Sequence, residues 1–124
     1  RREKYHCFLD KNIELPMMFM DDAIRATIEL MNVERSSLSI NSSYNISAMS
    51  FTPEQLANEI KKHVNDFEII YQPDFRNNIA ISWPNSINDE LSRLDWGWAN
   101  EFDITKTTST MLQALEKKII NITN

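Results

Sequence analysis

Apolar residues follow two rhythms along this chain. Tyr5-His6-Cys7-Phe8-Leu9 is a short apolar-aromatic run that predicts a strand, and Asp10-Lys11-Asn12 predicts the turn after it. Leu15-Pro16-Met17-Met18-Phe19-Met20 is a second short run. Proline has no N–H for a ladder, so its place near the start suits a strand's first residues or an edge. The spacing then becomes helical. Ala23, Ile24, Thr27, Ile28 and Met31 recur behind Asp21-Asp22. An acidic pair there reads as a helix start, through capping and the macrodipole. Residues 36–43, rich in serine and asparagine, read as a loop, and Tyr44-Asn45-Ile46 as a brief strand.

Thr52-Pro53-Glu54-Gln55 is the clearest local signal. Threonine suits the N-cap, proline the first helical position, and glutamine three residues after the cap closes a capping box. Leu56, Ala57, Ile60 and Val64 form one apolar face behind it, and Phe51 is placed to staple onto it. Phe67-Glu68-Ile69-Ile70-Tyr71 is β-prone and ends before Pro73. Residues 74–86 read as irregular and 87–95 as a short helix. Asp103 is a cap for a last helix whose expected buried stripe is Ile104, Thr108, Met111, Leu112, Leu115 and Ile119. No repeat, linker or second domain is visible. Short strands alternating with amphipathic helices place the chain in the α/β or α+β class, as one domain over residues 1–124.

Composition narrows the function classes. The chain has 124 residues, 42% hydrophobic and 25% charged, with a net charge of −5. That is a globular balance, and its sign argues against electrostatic binding to nucleic acid or anionic lipid. No apolar run reaches the roughly 18–20 residues of a membrane span. The basic start Arg1-Arg2-Glu3-Lys4 lacks the apolar stretch of a signal peptide, and the absence of an initial methionine points to a fragment or processed piece. The N-x-S/T triplets at Asn41, Asn45 and Asn121 read as coincidence. One cysteine excludes an internal disulfide and a multi-cysteine metal site, and one glycine excludes a glycine-rich phosphate loop. Tyr5, Tyr44 and Tyr71 are followed four residues on by Leu9, Ala48 and Phe75, so no Tyr-x-x-x-Lys pair is present.

Few side chains offer chemistry. His6 and His63 read as structural, because no third metal ligand is apparent. Cys7 and its neighbour His6 point to opposite faces of a strand, which spoils a Cys–His nucleophile. Capping explains Asp21 and Asp22 better than acid catalysis does, and Met17, Met18 and Met20 read as core filler. Trp83, in Ser82-Trp83-Pro84, must pack either on the core or on a bound ligand. Arg76, seven residues earlier, is a candidate carboxylate or phosphate fork against a default of surface exposure. Trp96-Gly97-Trp98 reads as a tight turn requiring positive φ.

Several strings together carry a resemblance. Residues 15–26 resemble the strand-to-helix junction of the extended short-chain dehydrogenases/reductases, a strand ending in an acidic pair before a helix. Ser43-Tyr44-Asn45-Ile46 resembles their Y-N-hydrophobic step, Ser50-Phe51-Thr52 their S-F-T helix start, and Asp95-Trp96-Gly97-Trp98 their L-G-W turn with Trp96 in place of leucine. Within that superfamily, residues 15–26, 42–52, 71–76 and 82–98 are most similar to the C-terminal half of the short-chain L-threonine 3-dehydrogenase family. Epimerases and dehydratases usually carry a sugar-nucleotide-gripping arginine just before the first of these strands; Glu14, Leu15 and Pro16 stand there instead.

The resemblance implies an α/β substrate-binding lobe of short strands and three or four amphipathic helices, without its Rossmann core. It implies NAD held mainly by an N-terminal domain that also carries the catalytic residues, leaving none in this chain and no metal. The implied reaction oxidises L-threonine to 2-amino-3-ketobutyrate. The complete protein would be a homodimer in the cytoplasm, or in the mitochondrial matrix of an animal, and this chain alone would be inactive. Trp83, Arg76 and Met18 are the residues expected to line the substrate pocket. The alternatives are a nucleotide-sugar epimerase or dehydratase, and a non-catalytic remnant that binds a partner. A lobe of this kind is expected to expose the apolar surface that faces the Rossmann domain.

Overall fold

A computed structural model describes residues 4–123, with side chains through residue 119. The Arg1-Arg2-Glu3 start and the Asn121 side chain lie outside the described residues. Four three-residue strands and five α-helices follow one another as β1 (Tyr5–Cys7), β2 (Leu15–Met17), α1 (Met20–Asn32), β3 (Met49–Phe51), α2 (Pro53–His63), β4 (Ile69–Tyr71), α3 (Phe75–Ile81), α4 (Glu90–Trp96) and α5 (Ile104–Thr123). The architecture is mixed α/β, as expected, with one helix more than the three or four anticipated.

The strands form two separate pairs. β1 and β4 are parallel, with Tyr5 opposite Ile69 and Cys7 opposite Tyr71. β2 and β3 are antiparallel, with Leu15 opposite Phe51 and Pro16 opposite Ser50. A two-stranded ladder has only edges, which is why Pro16 is tolerated within it. Tyr44-Asn45-Ile46 is not a strand. Side chains hold that segment instead: Ser92 Oγ donates to the Asn45 carbonyl, Asp89 Oδ2 accepts the Ser47 N–H at 3.1 Å, and Trp98 Nε1 donates to the Ser47 carbonyl at 2.8 Å.

The capping box forms in full. Thr52 Oγ1 accepts the Gln55 N–H at 3.2 Å and Gln55 Oε1 accepts the Thr52 N–H at 2.9 Å, with Pro53 opening α2. Asp103 caps α5 by accepting the Lys106 N–H at 2.8 Å. Gly97 ends α4 with φ +72°, the left-handed conformation that glycine adopts at least cost. Residues 74–86 are not irregular throughout, because Asp74 caps α3 through the Arg76 N–H at 2.9 Å. Conversely, Asp21 and Asp22 do not cap α1. Phe19 holds the N-cap position with no side-chain bond, and Asp22 is turned inward.

Cys7, Leu15, Ala26, Ala57, Ala80 and Trp98 are buried together with Asp22, Glu59, Ser92 and Thr108. This core is small. The α5 stripe is buried at Thr108, where α5 packs on α2, but Met111, Leu115 and Ile119 are exposed. An 11-residue α2 is too short to cover a 20-residue helix at 1.5 Å per residue.

Candidate functional site

Two of the three expected site residues come together. Arg76 and Trp83 line one open apolar cavity of about 220 Å³ with Phe8, Leu9, Leu15, Ile79 and Ala80. Its placement follows from backbone bonds. The parallel β1–β4 pair is prolonged by the Asp74 N–H donating to the Phe8 carbonyl at 3.2 Å, which delivers the start of α3 to the end of β1. Asn77 Oδ1 then accepts the Asp10 N–H at 2.7 Å, tying the turn after β1 to α3. Trp83 follows α3, with its N–H donating to the Ala80 carbonyl at 3.1 Å, and its side chain is 58% exposed at the cavity wall.

Arg76 is already engaged. Its guanidinium lies 3.6 Å from the Phe8 ring centroid and pairs with Asp74, Nη2 to Oδ2 at 2.6 Å and Nε to Oδ1 at 3.1 Å. The hydrogen bond from Arg76 holds the Asp74 carboxyl below the ordinary carboxylate range, and Asp74 in turn raises the Arg76 guanidinium. The guanidinium fork is thus taken up by a local ion pair with Asp74. The cavity presents a neutralised cation stacked on an aromatic floor, flanked by an indole.

Met18 is set apart. It lines a smaller cavity of about 80 Å³ with Pro16, Met17, Ile46, Ser47, Ala48 and Ile87. Leu15 faces the Trp83 cavity and Met18 does not, so β2 and its C-terminal extension divide the two. His6 Nδ1 bonds Gln72 Oε1 at 2.9 Å, and His63 is the last residue of α2. Among the described residues no cluster of histidine, cysteine or acid is placed to hold a metal ion, and no helix is long and apolar enough to cross a membrane.

Sequence reasoning missed two carboxylates that organise the surroundings. Asp22, buried in α1, accepts the N–H groups of Glu101 at 3.1 Å and Phe102 at 3.0 Å and a bond from Arg25 at 2.8 Å. Burial pushes its carboxyl up, and these three donors outweigh burial and bring it below the ordinary value. Asp95 accepts from Ser39 Oγ at 2.6 Å and Tyr44 Oη at 2.5 Å, and the Ser39 and Tyr44 bonds lower it. Both partnerships span more than fifty residues, so no local spacing announces them.

No family model matches the chain. Three relatives do. It is 47% identical to bovine mitochondrial L-threonine 3-dehydrogenase over 110 residues, 88% of this chain and 29% of that one. It superimposes on a GalE-like L-threonine dehydrogenase from Cupriavidus necator with a TM-score of 0.87 at 50% identity, over 91% of this chain and 41% of that one. The chain is homologous to the C-terminal portion of the GalE-like L-threonine dehydrogenases. It is also 42% identical to an uncharacterised epimerase/dehydratase of Staphylococcus aureus over 95% of its own length and 37% of the relative's. The chain thus spans well under half the length of the dehydrogenases it matches. The mixed α/β architecture of this chain matches that C-terminal portion of the solved dehydrogenases.

Proposed function

We propose that this chain is the substrate-binding lobe of an NAD-dependent L-threonine 3-dehydrogenase, and that the Arg76–Trp83 cavity receives part of the amino-acid substrate. The observation that carries the reading is the convergence of those two side chains on one open cavity in a chain homologous to L-threonine dehydrogenases. Trp83 is the exposed wall. Arg76 holds the floor through its stack on Phe8, its charge balanced by Asp74. Met18 approaches from the far side of β2 and would act on substrate only at the rim of its own smaller cavity.

The oxidation itself is assigned elsewhere. The described residues do not fit a dinucleotide, because the single glycine is spent on the C-cap of α4 and no backbone cradle for phosphates can be built around it. NAD and the acid–base pair therefore belong to a nucleotide-binding domain joined to this lobe in a complete enzyme, which the resemblance makes a homodimer. The name of the bovine relative places that enzyme in mitochondria; the matrix is proposed for a chain of animal origin and the cytoplasm otherwise.

The Staphylococcus relative's name gives the epimerase/dehydratase reading a footing. Against it stand Glu14, Leu15 and Pro16 where a sugar-nucleotide grip needs a base, with Leu15 buried. The test joins this chain to the nucleotide-binding portion of the Cupriavidus necator enzyme and substitutes Trp83→Ala. The expected result is a KM for L-threonine raised about tenfold, the consequence of losing roughly 1.4 kcal/mol of contact. An unchanged KM removes Trp83 from the pocket.

A further inference from the structure

Arg76 is the one charged side chain among the residues that line the Trp83 cavity; the rest of the lining is aliphatic or aromatic. An anionic group entering there has no other cation in the lining to pair with. A guanidinium grips a carboxylate or phosphate best with two parallel N–H bonds from one edge. The edge made by Nε and Nη2 is already taken. Nε gives 3.1 Å bonds to both Asp74 carboxylate oxygens, and Nη2 gives a 2.6 Å bond to Oδ2. Asp74 does not line the cavity, so it holds Arg76 from outside it. Its own position is fixed. The Asp74 N–H donates to the Phe8 carbonyl at 3.2 Å, its carbonyl accepts the Asn77 N–H at 3.0 Å, and Oδ1 also accepts the Arg76 N–H at 2.9 Å as the cap of α3. The Phe8 ring lies against the guanidinium at 3.6 Å. The two side chains are 47% and 37% exposed, so solvent ions reach the pair, and its anchored bidentate geometry is what keeps the fork closed.

We propose that Asp74 is a specificity-determining positioning residue: by occupying the Nε–Nη2 edge of Arg76, it bars phosphate-bearing substrates from the Trp83 cavity and reserves the cavity for a substrate without phosphate, such as an amino acid. This rests on the reading of that cavity as part of the substrate site. A phosphate approaching Arg76 must displace a carboxylate that the backbone holds in place, and it meets that carboxylate's negative charge while doing so. The cavity then recognises its ligand by the flat guanidinium, the Phe8 ring beneath it and the Trp83 indole, and not by net charge. Two separate features thus work against a nucleotide sugar. Glu14, Leu15 and Pro16 supply no base before β2, and Asp74 cancels the base that Arg76 would supply. Removing the Asp74 charge should therefore create an anion grip that the parent chain lacks.

The experiment uses this chain joined to the nucleotide-binding portion of the Cupriavidus necator enzyme, with inorganic pyrophosphate as the probe. Asp74→Asn and Asp74→Ser each remove the charge and keep a side-chain oxygen to accept the Arg76 N–H. Binding is read from the Arg76 Nε–H resonance by NMR, and from inhibition of L-threonine oxidation at saturating NAD+, which keeps pyrophosphate off the nucleotide site. In both variants pyrophosphate should compete with L-threonine about tenfold more tightly than in the parent, the yield of one charge-assisted hydrogen bond. It should also shift the Arg76 resonance at concentrations that leave the parent's resonance unmoved. Adding Arg76→Gln should abolish the gain, which a general loosening of α3 would not do. Equal competition in parent and variants, a gain that survives Arg76→Gln, or an Arg76 resonance unmoved in both variants would overturn the proposal. The resonance decides the matter even in a joined protein that does not turn over. The substrate reading is scored separately by the effect of Trp83→Ala on KM, so either can fail while the other stands.

Discussion

Asp22 and Arg25 are joined at 2.8 Å within one turn of α1, and both reach across the fold to the same distant segment. Asp22 takes the Glu101 and Phe102 N–H groups, and Arg25 gives a bond to the Ala99 carbonyl and lies 4.8 Å from the Trp98 ring centroid. Phe19 stacks on Phe102 at 4.3 Å beside them. Helix start, helix end of α4 and the lead into α5 are thereby one unit. Asp22→Ala would leave the Glu101 and Phe102 N–H groups without their acceptor in a buried site, while Arg25 keeps Glu29 and the Ala99 carbonyl. Two buried donors left unsatisfied cost about 3 kcal/mol together. Urea denaturation of the variant should show a loss of that order, and a loss below about 1 kcal/mol would mean the clamp is not what holds residues 98–102.

The same carboxylate sets an acid limit. Its folded pKa lies below its unfolded value of about 3.9. Its contribution is therefore complete above that unfolded value and is lost as pH falls through the folded one. Stability measured from pH 6 downward should stay level in this respect until about pH 4 and then fall. Asp22→Asn should start lower and fall less steeply. Parallel curves for the two proteins would show that other groups make the acid limb.

Thr52→Ala removes one half of the capping box and frees the Gln55 N–H. The expected cost is about 1 kcal/mol, a fall in Tm of a few degrees. Thr52→Ser should recover most of it, and a serine variant as unstable as alanine would show that the threonine methyl, not the cap, matters.

What the sequence made legible was local. Thr52, Pro53 and Gln55 announce α2 because a capping box lies within four residues, and Asp103 and Gly97 announce their helix end signals for the same reason. What stayed hidden depends on distance. Tyr44 sits in a segment held by side-chain bonds to α4 and not by a ladder, so β-propensity misread it. α3 was missed because its cap, Asp74, follows a proline and its seven residues carry no clear stripe. The apolar stripe of α5 correctly predicts a helix, but its burial depends on how far α2 reaches. Of the candidate site, the pairing of Arg76 with Trp83 emerges only when α3 brings them to one cavity, and Met18, just beyond the end of β2, lines a separate one with Pro16 and Met17.

Tyr44→Phe deletes the hydroxyl that Asp95 accepts at 2.5 Å while leaving the edge-on contact with Trp96 at 6.3 Å. The Asp95 carboxyl should then titrate higher, toward the ordinary carboxylate value, because one of the two side-chain donors that lower it is gone. Carbon-detected NMR titration of the side-chain carboxyl reads this directly. No upward movement would mean that Ser39 alone holds Asp95.

The central claim is that this lobe encloses L-threonine for chemistry performed on an attached nucleotide-binding domain. The measurement is L-threonine-dependent reduction of NAD+ by the chain alone and by the chain joined to the nucleotide-binding portion of the Cupriavidus necator enzyme. The joined protein should turn over L-threonine and the 124-residue chain should not. Oxidation by the chain alone, or a joined protein that acts on a nucleotide sugar and leaves L-threonine untouched, would contradict the account.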